Sequence, residues 1–462
     1  MKRLQRIIPL AAAALLLTGC ARTGYQNFTI PEQGPSTLEP VDTIYRESHY
    51  TGIPPKQEKA QQTVTTGNGA CVLSFMGSYY DVTLDFSKGT HYEVGAAYAE
   101  AAQQIKEDYA NISEGYLYEN IRAAFTNLEE DYSAVERRTE IIFQTLRQEY
   151  QEEINGFADT ICGGEEGFVQ DGFLSREEAI LLQLVPDVLR GTACSAISAD
   201  GSTTASGERI TCRILEWELG SEKQLCQAHT LIHMRNGSES FTSVGYLGCM
   251  TILTGINQAG LMLSEYDVGS RENVPYTTKD KRSYTFDMRY ILEHETSAQK
   301  AAAYFRDNTA HYPYCVNVLC TDAEDACVTE LVVTQEDGTP IVRDSSTALH
   351  DRLVWEDPAY LCVVNAFAAK GNSDLLTYSA SNVIRWDRYN ALFCGQRQLT
   401  LDRFKELMTC EKTDNHLVRI RGEGMVHMVI ADYDTHHLQA ILTGTEGVTD
   451  AQDFIDLGDW TE

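Results

Sequence analysis

Gly191-Thr192-Ala193-Cys194-Ser195-Ala196-Ile197 marks the point where this chain changes character. Upstream of it, apolar residues recur at helical spacing. Ile121, Phe125, Leu128, Tyr132 and Val135 step by four, three, four and three, and Ile142, Leu146, Tyr150 and Ile154 continue the face. The spacing predicts helix through about 92–161, preceded by strand-like stretches at 71–75 and 82–86. Ser175-Arg-Glu-Glu178 reads as a capping box opening a further helix over 179–189. Downstream of Cys194 the pattern turns to short alternating strands at 195–198, 209–218, 230–234, 241–244, 260–266, 315–320, 328–334 and 427–431. Helical runs interrupt them near 296–308 and 382–393. Many strands with helices between them predict a layered α+β body rather than a parallel doubly wound sheet. No internal repeat is evident.

The 462 residues carry a formal charge of −30, with 43% hydrophobic and 23% charged residues. That is globular composition, long enough for two or three domains or one large domain with appendages. The acidic excess excludes nucleic acid as a partner, because such binding needs a basic footprint. Lys2, Arg3 and Arg6 precede an apolar run at 7–17 that is too short to span a bilayer. The run ends in Leu17-Thr18-Gly19-Cys20, which resembles a bacterial lipobox; an ordinary secretory signal with a chance cysteine is the alternative. Lipidation at Cys20 predicts a protein held on the outer face of a membrane, in the cell envelope, by acyl chains alone. Residues 1–20 are then signal and lipobox. The Pro-, Thr- and Gln-rich stretch 21–66 reads as a flexible stalk.

Thirteen cysteines invite a disulfide or metal reading. Without Cys20 and Cys194 an odd number is left, so at least one thiol is free or pairs with another chain. No CxxC pair occurs, and Cys315, Cys320 and Cys327 have no zinc-knuckle spacing. Most read as small core residues. His229 and His233 share one face of a strand without making a site, and His436-His437 reads as a hairpin tip. No metal and no cofactor are assigned.

Four stretches carry the chemistry. Cys194 stands where a helical segment ends and a strand begins, and after a turn at 200–207 comes Ile210-Thr-Cys-Arg213-Ile-Leu-Glu216-Trp217. Gly245-Tyr-Leu-Gly248 leads into Gly255-Ile-Asn257-Gln-Ala-Gly260-Leu261. Leu361-Cys-Val-Val-Asn365-Ala-Phe367 puts an Asn at a strand end. Asn382-Val-Ile-Arg385-Trp-Asp-Arg388 places two Arg three apart on a helical surface.

Taken in order, these stretches resemble the N-terminal-nucleophile (Ntn) hydrolase family of acyl-coenzyme A:6-aminopenicillanate acyltransferase, with choloylglycine hydrolase and penicillin V acylase as cousins. Gly89-Thr-His-Tyr-Glu-Val-Gly95 is similar to a stretch of that family's prosegment, and Gly424-Met-Val-His-Met-Val-Ile-Ala-Asp432 to its closing hairpin, so the likeness covers about 70–460. It implies an αββα sandwich at 194–462 preceded by a mainly helical prosegment at 67–193, and a chain that cuts itself before Cys194. The freed Cys194 would supply a thiolate nucleophile and an α-amine with a pKa near ~8 that takes and returns the proton. Arg213 would favour the thiolate, or else pair with Glu216. Glu216 matches an Asp that orients the amine and is one methylene longer. Asn365 matches an oxyanion donor, or else forms a turn at a strand end. Arg385 matches an Arg that supports the nucleophile pocket, while Arg388 reads as a surface or packing residue.

Two departures stand out. Ala193 precedes the nucleophile where Gly is common. After the Gly255–Leu261 turn, where relatives offer another Asn, this chain reads Ser264-Glu265-Tyr266-Asp267. Asn257 and Asp267 are the pocket candidates there, although a carboxylate at Asp267 repels an oxyanion and only backbone N–H groups would serve. The resemblance implies a cysteine amidohydrolase or acyltransferase acting on a small acyl amide through a thioester. The alternative is a noncatalytic surface lipoprotein that keeps the fold as a binding module.

Overall fold

Alternating strands after Cys194 pair into two sheets in the computed structural model, which describes residues 47–48, 50, 52–128, 132–189, 194–237, 239–268, 280–351, 353–373, 380–412, 424–448 and 453–461. In chain order the main elements are β1 (Gln62–Thr66), β2 (Cys71–Phe75), β3 (Tyr80–Asp85), α1 (His91–Ile105), α2 (Tyr109–Leu128), α3 (Tyr132–Thr145), α4 (Gln148–Ile161) and α5 (Arg176–Val188). Then follow β4 (Ser195–Ala199), β5 (Ile210–Glu216), β6 (His229–Asn236), β7 (Glu239–Tyr246), β8 (Thr254–Asn257) and β9 (Met262–Asp267). After α6 (Tyr284–His294) and α7 (Ala298–Asn308) come β10 (Val316–Thr321), β11 (Ala326–Leu331), β12 (Ile341–Arg343) and β13 (Tyr360–Val364). The chain closes with α8 (Ala380–Phe393), α9 (Leu401–Met408), β14 (Met425–Asp432), β15 (His437–Leu442) and β16 (Ile455–Asp459).

A ten-stranded sheet runs β12-β11-β10-β9-β8-β7-β6-β3-β2-β1, and a six-stranded sheet runs β13-β4-β5-β14-β15-β16. Every neighbour pair in the two sheets is antiparallel except β3 with β6. The sheets face each other through Leu231, Val244, Ile256 and Met262 of the larger and Val429, Ala431, Leu438 and Ala440 of the smaller. Helices α1 to α7 belong to a core on the outer side of the larger sheet. Helices α8 and α9 cover the outer side of the smaller, through Trp386, Tyr389, Phe404 and Leu407 packed on Ile197, Cys212 and Ile214. These are the four layers of an αββα sandwich, a mixed α+β fold.

The helical stretch upstream of Cys194 is tied into this body. The expected capping box forms: Glu178 N–H donates to Ser175 Oγ at 3.1 Å, and Ser175 N–H to Glu178 Oε2 at 2.8 Å. A second box, Thr90 with Glu93, opens α1. Gly95 has a steric reason, since a Cβ there would sit 2.0 Å from the Glu153 carbonyl oxygen of α4. Only hydrogen lets α1 and α4 approach so closely.

The end of the expected stalk needs correction. Residues 62–66 form the edge strand β1, in register with β2 from Gln62 opposite Phe75 to Thr66 opposite Cys71. Their Thr-Val-Thr pattern suits a half-buried strand, with Val64 packed on the main core, although their composition reads as linker. Strands β1 to β3 also extend the larger sheet through the parallel β3–β6 pair, so the boundary at 193/194 does not separate two bodies. Residues 1–46, with Cys20, lie outside the described residues. No helix among the described residues is long and apolar enough to cross a membrane. Of the described cysteines, none is in a disulfide; Cys162 is exposed, Cys394 half-buried and the others buried.

Candidate active site

Sheet order brings together residues far apart in sequence. Strand β4 pairs on one side with β5, setting Ala196 opposite Arg213, and on the other with β13, setting Ser195 opposite Val364. Cys194, immediately before β4, therefore lies between Arg213 and Asn365. Residues 191–193, with Ala193 and the bond to Cys194, lie outside the described residues.

The Cys194 thiol is fully buried and donates to the Glu216 backbone carbonyl at 3.9 Å. Arg213 Nη2 donates to Cys194 Sγ at 3.5 Å and to the Glu265 carbonyl at 3.3 Å, while Nη1 reaches His427 Nε2 at 3.3 Å. Its guanidinium also lies 5.9 Å from the Tyr266 ring. Arg213 thus points across the inter-sheet space rather than along its own strand. The acid found beside it is Glu265, with Oε1 at 3.6 Å from Nη2. Burial pushes the Glu265 carboxyl up to about 8; Asp267 and Asp187 add to the push and Arg213 opposes it. Burial thus favours the protonated Glu265 carboxyl, which leaves more of the Arg213 charge for a thiolate to use.

Asn365 and Arg385 act as a unit. Arg385, on α8, donates through Nη1 to the Cys194 carbonyl and through Nη2 to Asn365 Oδ1 at 3.0 Å and Asn382 Oδ1 at 2.5 Å. A guanidinium only donates, so the Asn365 oxygen faces Arg385 and its NH2 must face away. That NH2 donates to the Asp267 carbonyl at 2.8 Å. The loop carrying Asn365 is pinned by buried groups. Asn317 Nδ2 donates to the carbonyls of Val364 at 3.1 Å and Ala366 at 2.9 Å. Glu330 accepts from the N–H groups of Ala368 and Ala369 and from Asn372 Nδ2.

The structure thus gathers Cys194, Arg213, Asn365 and Arg385, with the backbone of Glu216 and Asp267. Asp267 contributes a carbonyl oxygen, which is an acceptor and not an oxyanion donor. Asn257 needs correction as a pocket candidate. Its Nδ2 donates to the carbonyls of Leu292 at 3.0 Å and Glu295 at 2.7 Å, and its Oδ1 accepts from the N–H groups of Ala259 and Leu261. All of its hydrogen-bonding capacity goes into joining its own turn to the end of α6.

Sequence reasoning missed Glu265, His427 and Asn382 as parts of the site. Glu265 and Asp267 share one strand face, so alternation alone does not choose between them. An apolar cavity of about 70 Å³ lies nearby, lined by Tyr116, Leu182, Val185, Trp217, Tyr246 and Leu253. Trp217 directly follows Glu216. Among the described residues, no group of three or more His, Cys, Asp or Glu is placed to hold a metal ion.

No protein-family model matches the sequence, and no curated protein matches it. Solved structures similar to it include an N-acylethanolamine-hydrolyzing acid amidase ortholog from Caenorhabditis elegans, at 16% identity and TM-score 0.38, covering 51% of this chain and 92% of that one. A variant of conjugated bile acid hydrolase from Clostridium perfringens is similar at 10% identity and TM-score 0.36, covering 58% of this chain and 94% of its own. Penicillin V acylase from Agrobacterium tumefaciens is similar at 13% identity and TM-score 0.32, covering 57% and 86% respectively. The sandwich described above rests on its own two sheets and their helical covers.

Proposed function

We propose that this protein is a self-processed cysteine amidohydrolase or acyltransferase acting on a small acyl amide. The observation that carries the reading is the Arg213 guanidinium 3.5 Å from Cys194 Sγ, with Arg385 joining the Cys194 carbonyl to Asn365 beside it. In this reading the chain is cut before Cys194, and the freed α-amine takes the thiol proton as the sulfur attacks the amide carbonyl. Glu216 orients that amine. Asn365 turns its NH2 from the Asp267 carbonyl to the developing oxyanion, its amide held the right way round by Arg385. The C–N bond breaks as the amine returns the proton to the leaving nitrogen, and water or an acceptor amine then resolves the thioester. The apolar cavity beside Trp217 supports an acyl group with hydrophobic character. The Leu17-Thr-Gly-Cys20 sequence supports a lipid anchor at Cys20 on the outer face of a membrane.

The test is chemical. Purified protein is expected to yield a fragment whose N-terminus is Cys194, and a panel of acyl amides is expected to leave a thioester on that residue, seen by mass spectrometry. Cys194→Ala is expected to stay whole and unacylated. An intact wild-type chain that takes no acyl group from any amide would favour the noncatalytic binding module.

A further inference from the structure

Beyond the residues that the family resemblance supplies, the inter-sheet space holds two buried histidines that no step above uses. His427, on β14, and His229, on β6, have ring centroids 6.2 Å apart, and the Tyr246 ring lies 6.4 Å from His229. His427 Nδ1, His229 Nδ1 and the Tyr246 hydroxyl are buried without a hydrogen-bond partner. We infer that His427 is a positioning residue, whose Nε2 lone pair holds Arg213 Nη1 so that Nη2 faces Cys194 Sγ, without supplying a charge that would neutralise the guanidinium. This rests on the proposed role of Cys194 as nucleophile.

The tautomer follows from chemistry. Arg213 Nη1 only donates, so His427 Nε2 at 3.3 Å must be the lone-pair nitrogen, and the ring proton sits on Nδ1. His229 is fixed from its other side: its Nε2 lies 3.0 Å from the Thr443 carbonyl, which only accepts, so Nε2 carries the proton. Neither ring is charged. Burial, then Arg213, then His229 push the His427 imidazole well below the usual histidine range, and burial pushes His229 down to about 4. The charged or titratable groups that face His427 are Arg213 on its own sheet and His229 across the space; beyond them Arg213 meets Cys194, Glu265 and Tyr266, and His229 meets Tyr246.

A neutral acceptor is what this position calls for. The guanidinium is a rigid fork, so fixing Nη1 fixes the direction of Nη2. A carboxylate could fix it too, but would compete with the thiolate for the positive charge. Register supports the assignment. Val429 on β14 stands opposite Arg213 on β5, and His427 lies two residues before Val429, on the same face. His427 thus approaches the guanidinium from the side, leaving the path to Cys194 open.

The test compares His427→Leu with His427→Gln, whose amide oxygen can replace the lost acceptor. The readouts are the pH dependence of Cys194 alkylation by iodoacetamide in the matured protein, and thermal melting. His427→Leu is expected to raise the alkylation midpoint by roughly one pH unit and to slow alkylation at pH 7 roughly tenfold. His427→Gln is expected to recover the wild-type rate to within about threefold. Equal shifts in both variants, no shift in the Leu variant, or loss of fold in both would overturn the inference. A wild-type midpoint like that of a free cysteine would overturn the nucleophile assignment first, and this inference with it. A low wild-type midpoint that His427→Leu leaves unmoved would overturn the positioning role alone.

Discussion

At one end of the inter-sheet space Leu231, Val244 and Met262 pack against Val429, Ala431, Leu438 and Ala440, with Tyr433 and Trp460 closing the cluster. At the other end Arg213 reaches Cys194, with Tyr266 and His427 against Arg213, His229 beside His427 and Tyr246 beside His229. The same strands build both. Strand β14 sends Val429 and Ala431 to the apolar end and His427, two residues earlier, to the polar one. Strand β6 does likewise with Leu231 and His229, and β9 with Met262 and Tyr266. Because one strand face repeats every second residue, two or four positions along a strand suffice to pass from core to site. The apolar end stabilises the sandwich, and the polar end spends some of that stability on buried groups without hydrogen-bond partners, among them Arg213 Nε and both Glu265 oxygens.

A paired substitution tests this division most severely. Arg213→Met is expected to lower kcat/KM about a thousandfold on any amide that acylates Cys194, since the thiolate loses its cation. Its cost in stability at pH 7 is expected to be small, because Glu265 keeps its proton below about 8 and no buried carboxylate is left bare. Leu438→Ala is expected to do the reverse. It loses about 3 kcal/mol of unfolding free energy by emptying core volume, with kcat/KM per folded molecule unchanged. Kinetics and denaturant titrations on both proteins check the pair. If each variant lost both properties, the two ends would be one cooperative unit and the comparison would break.

The second test sharpens the polar end. The Glu265 carboxyl holds its proton up to about 8, against an ordinary value of 4.5. The bound proton therefore contributes stability that is fully present below about 4.5 and is lost as pH rises through about 8. Glu265→Gln cannot ionise and does not lose it. Relative to wild type, the variant is expected to gain about 2 kcal/mol between pH 5 and pH 9, a value set below the full linkage because a charged buried site relaxes. Urea titrations at the two pH values measure the gain. An equal difference at both would mean that Glu265 ionises like an exposed carboxylate and that Arg213 is neutralised at pH 7.

Much of this arrangement is legible in the sequence because it is local. The switch from helical to alternating spacing at Cys194 locates the first strand of the smaller sheet, and Arg213 falls on the next strand after a turn. The capping box at Ser175 is legible for the same reason, since all its partners lie within four residues. Asn365 is adjacent to Cys194 only because β13 pairs with β4, and sheet order is not written in any one segment. The family resemblance supplied that neighbour, not the periodicity. Residues 62–66 mislead because Thr and Gln suit both a linker and an edge strand, and the pairing with β2 decides. Helix α6 is similarly obscured. Its start is fixed by buried Asp187 of α5, which accepts from Ser283 Oγ at 2.7 Å, Tyr284 N–H at 2.9 Å and Thr285 Oγ1 at 2.6 Å.

The smallest expected effect concerns Asn257, which sequence reasoning set at the polar end and the structure sets elsewhere. Two of its bonds go to carbonyls at the end of α6, where the last turn leaves acceptors unsatisfied, and two come from N–H groups of its own turn. Asn257→Ala is expected to cost about 1–2 kcal/mol, the net worth of such bonds when buried partners are left unpaired, while kcat/KM stays at wild type. Asn257→Asp separates the two halves of the role. A carboxylate still accepts from Ala259 and Leu261, but it cannot donate to Leu292 and Glu295, and its charge repels their carbonyl oxygens. Near pH 7 the Asp variant should therefore be less stable than the Ala variant despite its closer shape. If Asn257→Ala instead lowered kcat/KM a hundredfold with normal melting, Asn257 would belong to the catalytic pocket after all, and the polar end would reach past β9 to the turn before it.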